Sequence, residues 1–164
     1  MRRSISGLTD VLPVLRVLGL LIMLFAFAMG LPLAVSWYWQ DGVWQVYLLS
    51  MGITLLAGAV LSLSTRRYKR ELQPRHGVML VSLVWALLPV FAAIPLMLAC
   101  DQVGRPLTFT HAYFEAVSGL TTTGSTVLSN LDTLPVSVNM WRTFMQWIGG
   151  MGILILAVAV LPLL

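Results

Sequence analysis

Four long runs without a charged residue dominate this chain: Val17–Trp39, Val43–Thr65, Gly77–Leu98 (continued by Ala99 and Cys100) and Thr143–Leu164. A helix needs roughly 20 apolar residues to cross the hydrocarbon core of a bilayer. Inside hydrocarbon, every main-chain N–H and C=O must find a partner within the protein, so such runs become helices. Hydrophobic residues make up 59% of the 164 positions and charged residues 10%, against about 25% charged in ordinary soluble domains. The expectation is an all-α integral membrane protein. Gln40-Asp41-Gly42 is a tight turn that folds the first two runs into a helical hairpin. Trp37, Tyr38, Trp39 and Trp44 flank it, as amphipathic aromatics do at a membrane–water interface.

Orientation follows from the basic residues. Arg66, Arg67, Lys69, Arg70 and Arg75 fall between Ser64 and Gly77, and Arg2, Arg3 and Arg16 lie near the start. Only Arg105 and Arg142 lie elsewhere. Between spans, such a cluster reads as a cytoplasmic loop rather than a nucleic-acid surface. The N-terminus is then cytoplasmic, with Arg16 snorkelling to the same face. The Gln40–Gly42 turn and residues 101–140 face outward. The first run, at 23 residues, exceeds the ~7–15-residue core of a signal peptide and is read as a retained span. Cys100 is the single cysteine, which leaves no internal disulfide and fits a small buried hydrophobe.

Segment 101–140 breaks the pattern. After the polar "DQVGRPLTFT", with Thr110 as the expected N-cap, "HAYFEAVSGL" (residues 111–120) reads as a short helix. Ten residues rise about 15 Å, half of the ~30 Å core, so this helix dips in and returns. "TTTGST" follows at its deep end, and "VLSNLDTLPVSVN" climbs out to the last span. A polar strand at that depth must line something polar. The half-helix aims its C-terminal carbonyls, which carry partial negative charge, at the membrane centre. The strand offers backbone carbonyls in place of a cation's water shell. Glycine permits the dihedrals that turn successive carbonyls toward one axis, and threonine adds hydroxyls on a stiff backbone. Thr122, Thr123 and Gly124 are central in this cation-pore reading, flanked by Thr121 and Ser125. The competing reading is a plain Thr/Ser/Gly turn.

Other residues have two readings as well. Glu115, on the dipping helix, either biases a pore toward cations or pairs with Arg142 at the outer start of the last span, and the pair is favoured. His111 shares its helix face at i, i+4, but two ligands make a poor metal site. Gly149, Gly150 and Gly152 suit close helix packing, with bending of the span as the alternative. Trp85 and Trp147 are expected to pack. Glu115, His111 and Arg142 are too few for a catalytic centre, so neither an enzyme nor an organic cofactor is expected.

The string "FEAVSGLTTTGST", then "LDTLP", then "QWIGGMGILILAVAVLPLL" closely resembles the membrane subunit of Trk-type potassium uptake systems, and the similarity extends over nearly the whole chain. The resemblance implies residues 1–66 as an N-terminal transmembrane hairpin, 67–76 as a basic cytoplasmic loop, and 77–164 as the first of four span–pore helix–filter–span repeats of a potassium-channel-like fold. It assigns potassium coordination to the carbonyls of Thr122 and Thr123, with Gly124 as the filter glycine. It also implies residence in the cell inner membrane among lipid, three further repeats in the same protein, a homodimer and a cytosolic nucleotide-binding regulatory subunit. Only one repeat is present, and Leu164 ends inside an apolar run, which reads as a truncated chain. A small homotetrameric cation channel and a non-transporting membrane scaffold remain alternatives.

Overall fold

A computed structural model describes residues 3–66 and 74–160. Every regular element among them is helical: α1 Arg3–Ala28, α2 Gly30–Trp39, α3 Trp44–Ser64, α4 Pro74–Gln102, α5 Phe109–Leu120 and α6 Val136–Val160, with a 3-10 turn at Leu131–Thr133. Among the described residues, three helical stretches are long and apolar enough to cross a membrane: Val11–Trp39, Trp44–Ser64 and His76–Gln102. Arg2, Arg67, Lys69, Arg70 and Leu164 lie outside the described residues, and with them most of the expected basic loop.

The first run is not one regular helix. Pro32 has no N–H to donate to the Ala28 carbonyl, and the helix breaks one turn before it. Met29 N–H turns to Ala26 O (3.1 Å), and Leu33 N–H resumes on Met29 O (3.1 Å). The Gln40–Gly42 turn closes the hairpin through left-handed backbone at Gln40 (φ 53°) and Gly42 (φ 85°). Asp41 holds it, accepting from the Ser36 hydroxyl and from Val43 N–H (3.4 Å). Burial pushes the Asp41 carboxyl up, but the adjoining Ser137, the Ser36 hydroxyl and main-chain N–H groups outweigh it and hold the group below its ordinary value of 3.8.

The last run also differs from the sequence expectation. The helix begins at Val136, well ahead of Thr143. Pro135 fixes the backbone just before it, and its carbonyl accepts from Val138 N–H (3.0 Å) and Asn139 N–H (3.3 Å). Proline is pre-organised for a helix start. The early start adds Asn139 and Arg142 to a helix that already holds Thr143 and Gln146, so its first half is far more polar than the three apolar stretches.

Small residues let the helices come together. Ala92, Ala93 and Ala99 on α4 and Ala112 and Ala116 on α5 are fully buried. Trp141 of α6 fills the centre, its indole N–H donating to Ala92 O at 3.1 Å. α1 and α3 cross main chain against main chain. A Cβ at Gly58 would fall 2.7 Å from Gly19 O, and one at Gly19 would fall 2.8 Å from Gly58 O. The outward faces stay apolar, with Leu24, Phe27, Leu56, Leu63 and Val78 all more than half exposed.

The crossing makes a direct contrast. Gly52 lies on the same helix as Gly58, yet a Cβ there meets nothing within 4 Å. Overpacking costs typically ~1–3 kcal/mol. Gly58→Ala is therefore expected to lower the melting temperature of the purified, detergent-solubilised protein by several degrees. Gly52→Ala should leave it unchanged or slightly raised. Equal effects from the two would contradict the close crossing.

Candidate functional site

α5 starts at an N-cap two residues earlier than expected. Thr108, in extended backbone, accepts from His111 N–H at 3.3 Å, and Thr110 lies inside the helix. Only Thr108 precedes the helix, and its extended backbone lets its oxygen reach the third helical N–H. The helix has 12 residues, a rise of about 18 Å. It is anchored to α4 by the Tyr113 hydroxyl, which donates to Ala86 O at 3.1 Å. His111 is exposed and Glu115 buried, so their i, i+4 spacing does not bring them into a shared site.

The helix ends in a tight reversal made by the five candidate residues. Thr121 N–H and its hydroxyl both donate to Val117 O (2.8 and 2.7 Å). Thr122 N–H reaches Gly119 O at 3.0 Å, and Thr123 N–H reaches Ser118 O at 2.9 Å. The Ser118 hydroxyl donates to Ser125 O at 2.6 Å, closing the loop. The Thr121 and Thr123 hydroxyls pair at 2.8 Å. Among the described residues, no donor reaches the carbonyls of Thr122, Thr123 or Gly124, whereas that of Ser125 is taken.

Two residues here have left-handed backbone. Gly124 has φ 77°, as its glycine allows, and a Cβ there would meet no atom within 4 Å. Thr122 has φ 58°, a rare state for a β-branched residue, costing on the order of 1–3 kcal/mol. The sequence carries no signal for it, because threonine normally argues against such a conformation.

The returning limb is held by Glu115, which is 3% exposed. Its Oε1 accepts from the Thr126 hydroxyl (2.5 Å), Val127 N–H (2.6 Å) and Leu128 N–H (3.3 Å). Its Oε2 accepts from Arg142 Nε at 3.1 Å. Arg142 also donates to Thr126 Oγ1 at 3.1 Å. Glu115 and Arg142 are thus an ion pair, as favoured above, and the pair grips the loop. Ser118 and Thr126 complete this scaffold and were not singled out from the sequence. Above it, Arg105 donates to Asn130 O (3.3 Å) and Thr133 Oγ1 (3.0 Å), and Asn139 donates to Leu131 O (2.8 Å). Those contacts give "LDTLP" its role as the turn between loop and α6.

The three glycines of α6 are not alike. A Cβ at Gly149 would fall 1.9 Å from Leu120 O, so α6 lies directly on the last residue of α5. At Gly150 the nearest atom would be Thr122 Cγ2 at 3.7 Å, and at Gly152 nothing lies within 4 Å. The helix runs unbroken through all three. Cys100 is a free, buried thiol. Trp85 is half-buried. Trp147 stacks on Phe144 (5.7 Å) but is 60% exposed, so it does not join the core as expected. The buried tryptophan is Trp141.

Removing one partner of a buried charge pair strands the other, at a cost of roughly 3–5 kcal/mol. Glu115→Ala and Arg142→Ala should each destabilise the protein strongly, and the double variant by clearly less than their sum. Thermal melts of all four forms measure this. Additive losses would show that the two side chains act separately.

A family model described as TrkH, a cation transport protein, matches residues 44–164. The Trk system potassium uptake protein TrkH of Halomonas elongata is 44% identical over 92% of this chain, and that of Escherichia coli is 40% identical over 91%. The crystal structure of the potassium transporter TrkH from Vibrio parahaemolyticus superposes with a TM-score of 0.83 at 39% identity, covering 91% of this chain. The chain spans 31%, 30% and 31% of the length of these three relatives, respectively. With the family model matching well over half of its residues, the chain belongs to the TrkH family of cation transport proteins.

Proposed function

We propose that this chain is the N-terminal hairpin and first pore-loop repeat of a potassium uptake protein in the cell inner membrane. In this reading residues 121–125 supply one quarter of a potassium filter. The observation that carries it is the loop after α5. The carbonyls of Thr122, Thr123 and Gly124 accept nothing from the described residues, while Ser118, Glu115 and Arg142 hold the loop on both limbs. Free carbonyls on a braced backbone are what a dehydrated cation needs. The C-terminal end of α5 adds its partial negative charge. Potassium is the transported ion, held by the carbonyls of Thr122 and Thr123. Ser125 and Thr121 shape the loop.

The depth of the loop supports the same reading. From Ser137 to Gly149, α6 rises about 18 Å, and so does the 12-residue α5. The two meet at Leu120 and Gly149, near the middle of a ~30 Å core. In the proposed topology the N-terminus and the basic segment 67–76 are cytoplasmic. The 40–42 turn and residues 101–105 are external, and α6 forms the fourth span. The relatives' length, about three times this chain's, favours four repeats in one protein over four separate copies or a scaffold. A homodimer with a cytosolic nucleotide-binding regulatory subunit completes the proposed assembly. The work is transport, with no catalytic centre and no organic cofactor.

Two measurements test this. In the complete transporter lacking Cys100, Val103→Cys should react with an impermeant thiol reagent from outside, and Lys69→Cys should not. The opposite pattern would invert the topology. For the filter, a Cβ at Gly124 strains the backbone although the surrounding space is open. Gly124→Ala and Gly124→Ser are expected to cut potassium-over-sodium discrimination in uptake assays by tenfold or more, which is ~1.4 kcal/mol or more. Thr123→Ser, which keeps a hydroxyl, should be mild. Unchanged discrimination in both Gly124 variants would remove the filter assignment.

A further inference from the structure

The hairpin precedes the proposed repeat, and no ion-facing group has been assigned to it. One face of α6 nevertheless ties the two together. Ser137, Trp141, Met145 and Gly149 recur every fourth residue and so share that face. Ser137 N–H, one of the donors a helix start leaves unpaired, donates to Asp41 Oδ2 at 3.0 Å across 96 residues of sequence. The ionised Asp41 therefore caps α6 from the hairpin turn, where negative charge is favoured. One turn further on, Trp141 packs on Phe25 of α1 with ring centroids 5.7 Å apart. Another turn on, Met145 lies against Gly119, where a Cβ would sit 3.2 Å from Met145 Cβ. At the fourth position Gly149 abuts Leu120 O. Arg142, next to Trp141, reaches sideways to Glu115. The upper half of this face is set by the hairpin, and the lower half sets the end of α5 and the loop.

We propose that Asp41 and Phe25 are positioning residues for the ion loop. They fix the height and rotation of α6, and α6 passes that setting to the loop through Arg142, Met145 and Gly149. The inference rests on the filter reading above. A helix held by backbone contact near its middle and by a capping carboxylate at its N-terminal end has little freedom to slide. Releasing the cap lets α6 shift, and the Arg142–Glu115 grip shifts with it.

The test uses the complete transporter in cells, with uptake normalised to the amount of folded protein in the membrane. Asp41→Ala is expected to raise the apparent KM for potassium and lower potassium-over-sodium discrimination several-fold. Asp41→Asn keeps an acceptor and should fall between Asp41→Ala and the parent. Phe25→Leu should shift both quantities in the same direction as Asp41→Ala. Asp101→Asn, at an exposed acid on the same proposed face, should change neither. If the Asp41 and Phe25 variants only reduce the amount of protein, while each remaining molecule keeps the parent KM and discrimination, the positioning role is overturned. Gly124→Ala in the same assay separates the two claims. If it shifts discrimination and the Asp41 variants do not, the hairpin role alone fails. If it too is silent, the filter reading fails and takes this inference with it. Should Asp41→Ala not accumulate, Asp41→Asn and Phe25→Leu decide.

Discussion

The buried carboxylate of Glu115 is the constraint on which the rest of the site depends. An ionised acid away from water costs several kcal/mol even after the protein relaxes around it. Here it is met by the Arg142 guanidinium, two main-chain N–H groups and the Thr126 hydroxyl. Each donor comes from the returning limb of the loop or from α6. Satisfying one charge therefore fixes the distance between α5, the limb after Ser125 and the last helix. The loop can leave carbonyls unpaired and place Thr122 in left-handed backbone because the segments on either side are held this tightly.

α6 is the second half of that arrangement. Its glycine at position 149 lets it rest on the main chain of Leu120, which no side chain would allow. Its arginine, two turns earlier, grips Glu115. The Ser137 N–H in its first turn is met by an acid from the hairpin. One helix thus touches the hairpin, the end of α5 and the returning limb. The close α1–α3 crossing at Gly19 and Gly58 makes the hairpin a stiff support.

Much of this was legible in the sequence, because the strongest signals were long-range averages. Apolar runs of membrane length, a polar Gln-Asp-Gly turn and a ten-residue helix before a threonine-glycine run all come from patterning. The family resemblance rested on the same motifs in order. What escaped were local choices between near-equal options. Two threonines stood within reach of the start of α5, and backbone shape chose Thr108 over Thr110. Pro32, with no N–H for the Ala28 carbonyl, broke the first run one turn upstream, and Pro135, whose ring fixes the backbone for a helix start, began the last one early. The left-handed Thr122 had no local signal at all. The pairing of Asp41 with Ser137 joins residues 96 apart, which no window of sequence reveals. Glu115 and Arg142 were found because two opposite charges in apolar surroundings leave few other solutions.

The central claim is that main-chain carbonyls of Thr122 and Thr123 hold the ion. Crystals of the complete transporter soaked with rubidium or thallium, heavier stand-ins for potassium, would show it by anomalous scattering. The account predicts anomalous peaks on the pore axis within coordination distance of those two carbonyls, lost in crystals grown with sodium alone. Peaks confined to other sites, with the carbonyls of Thr122 and Thr123 bonded to protein donors instead, would contradict it.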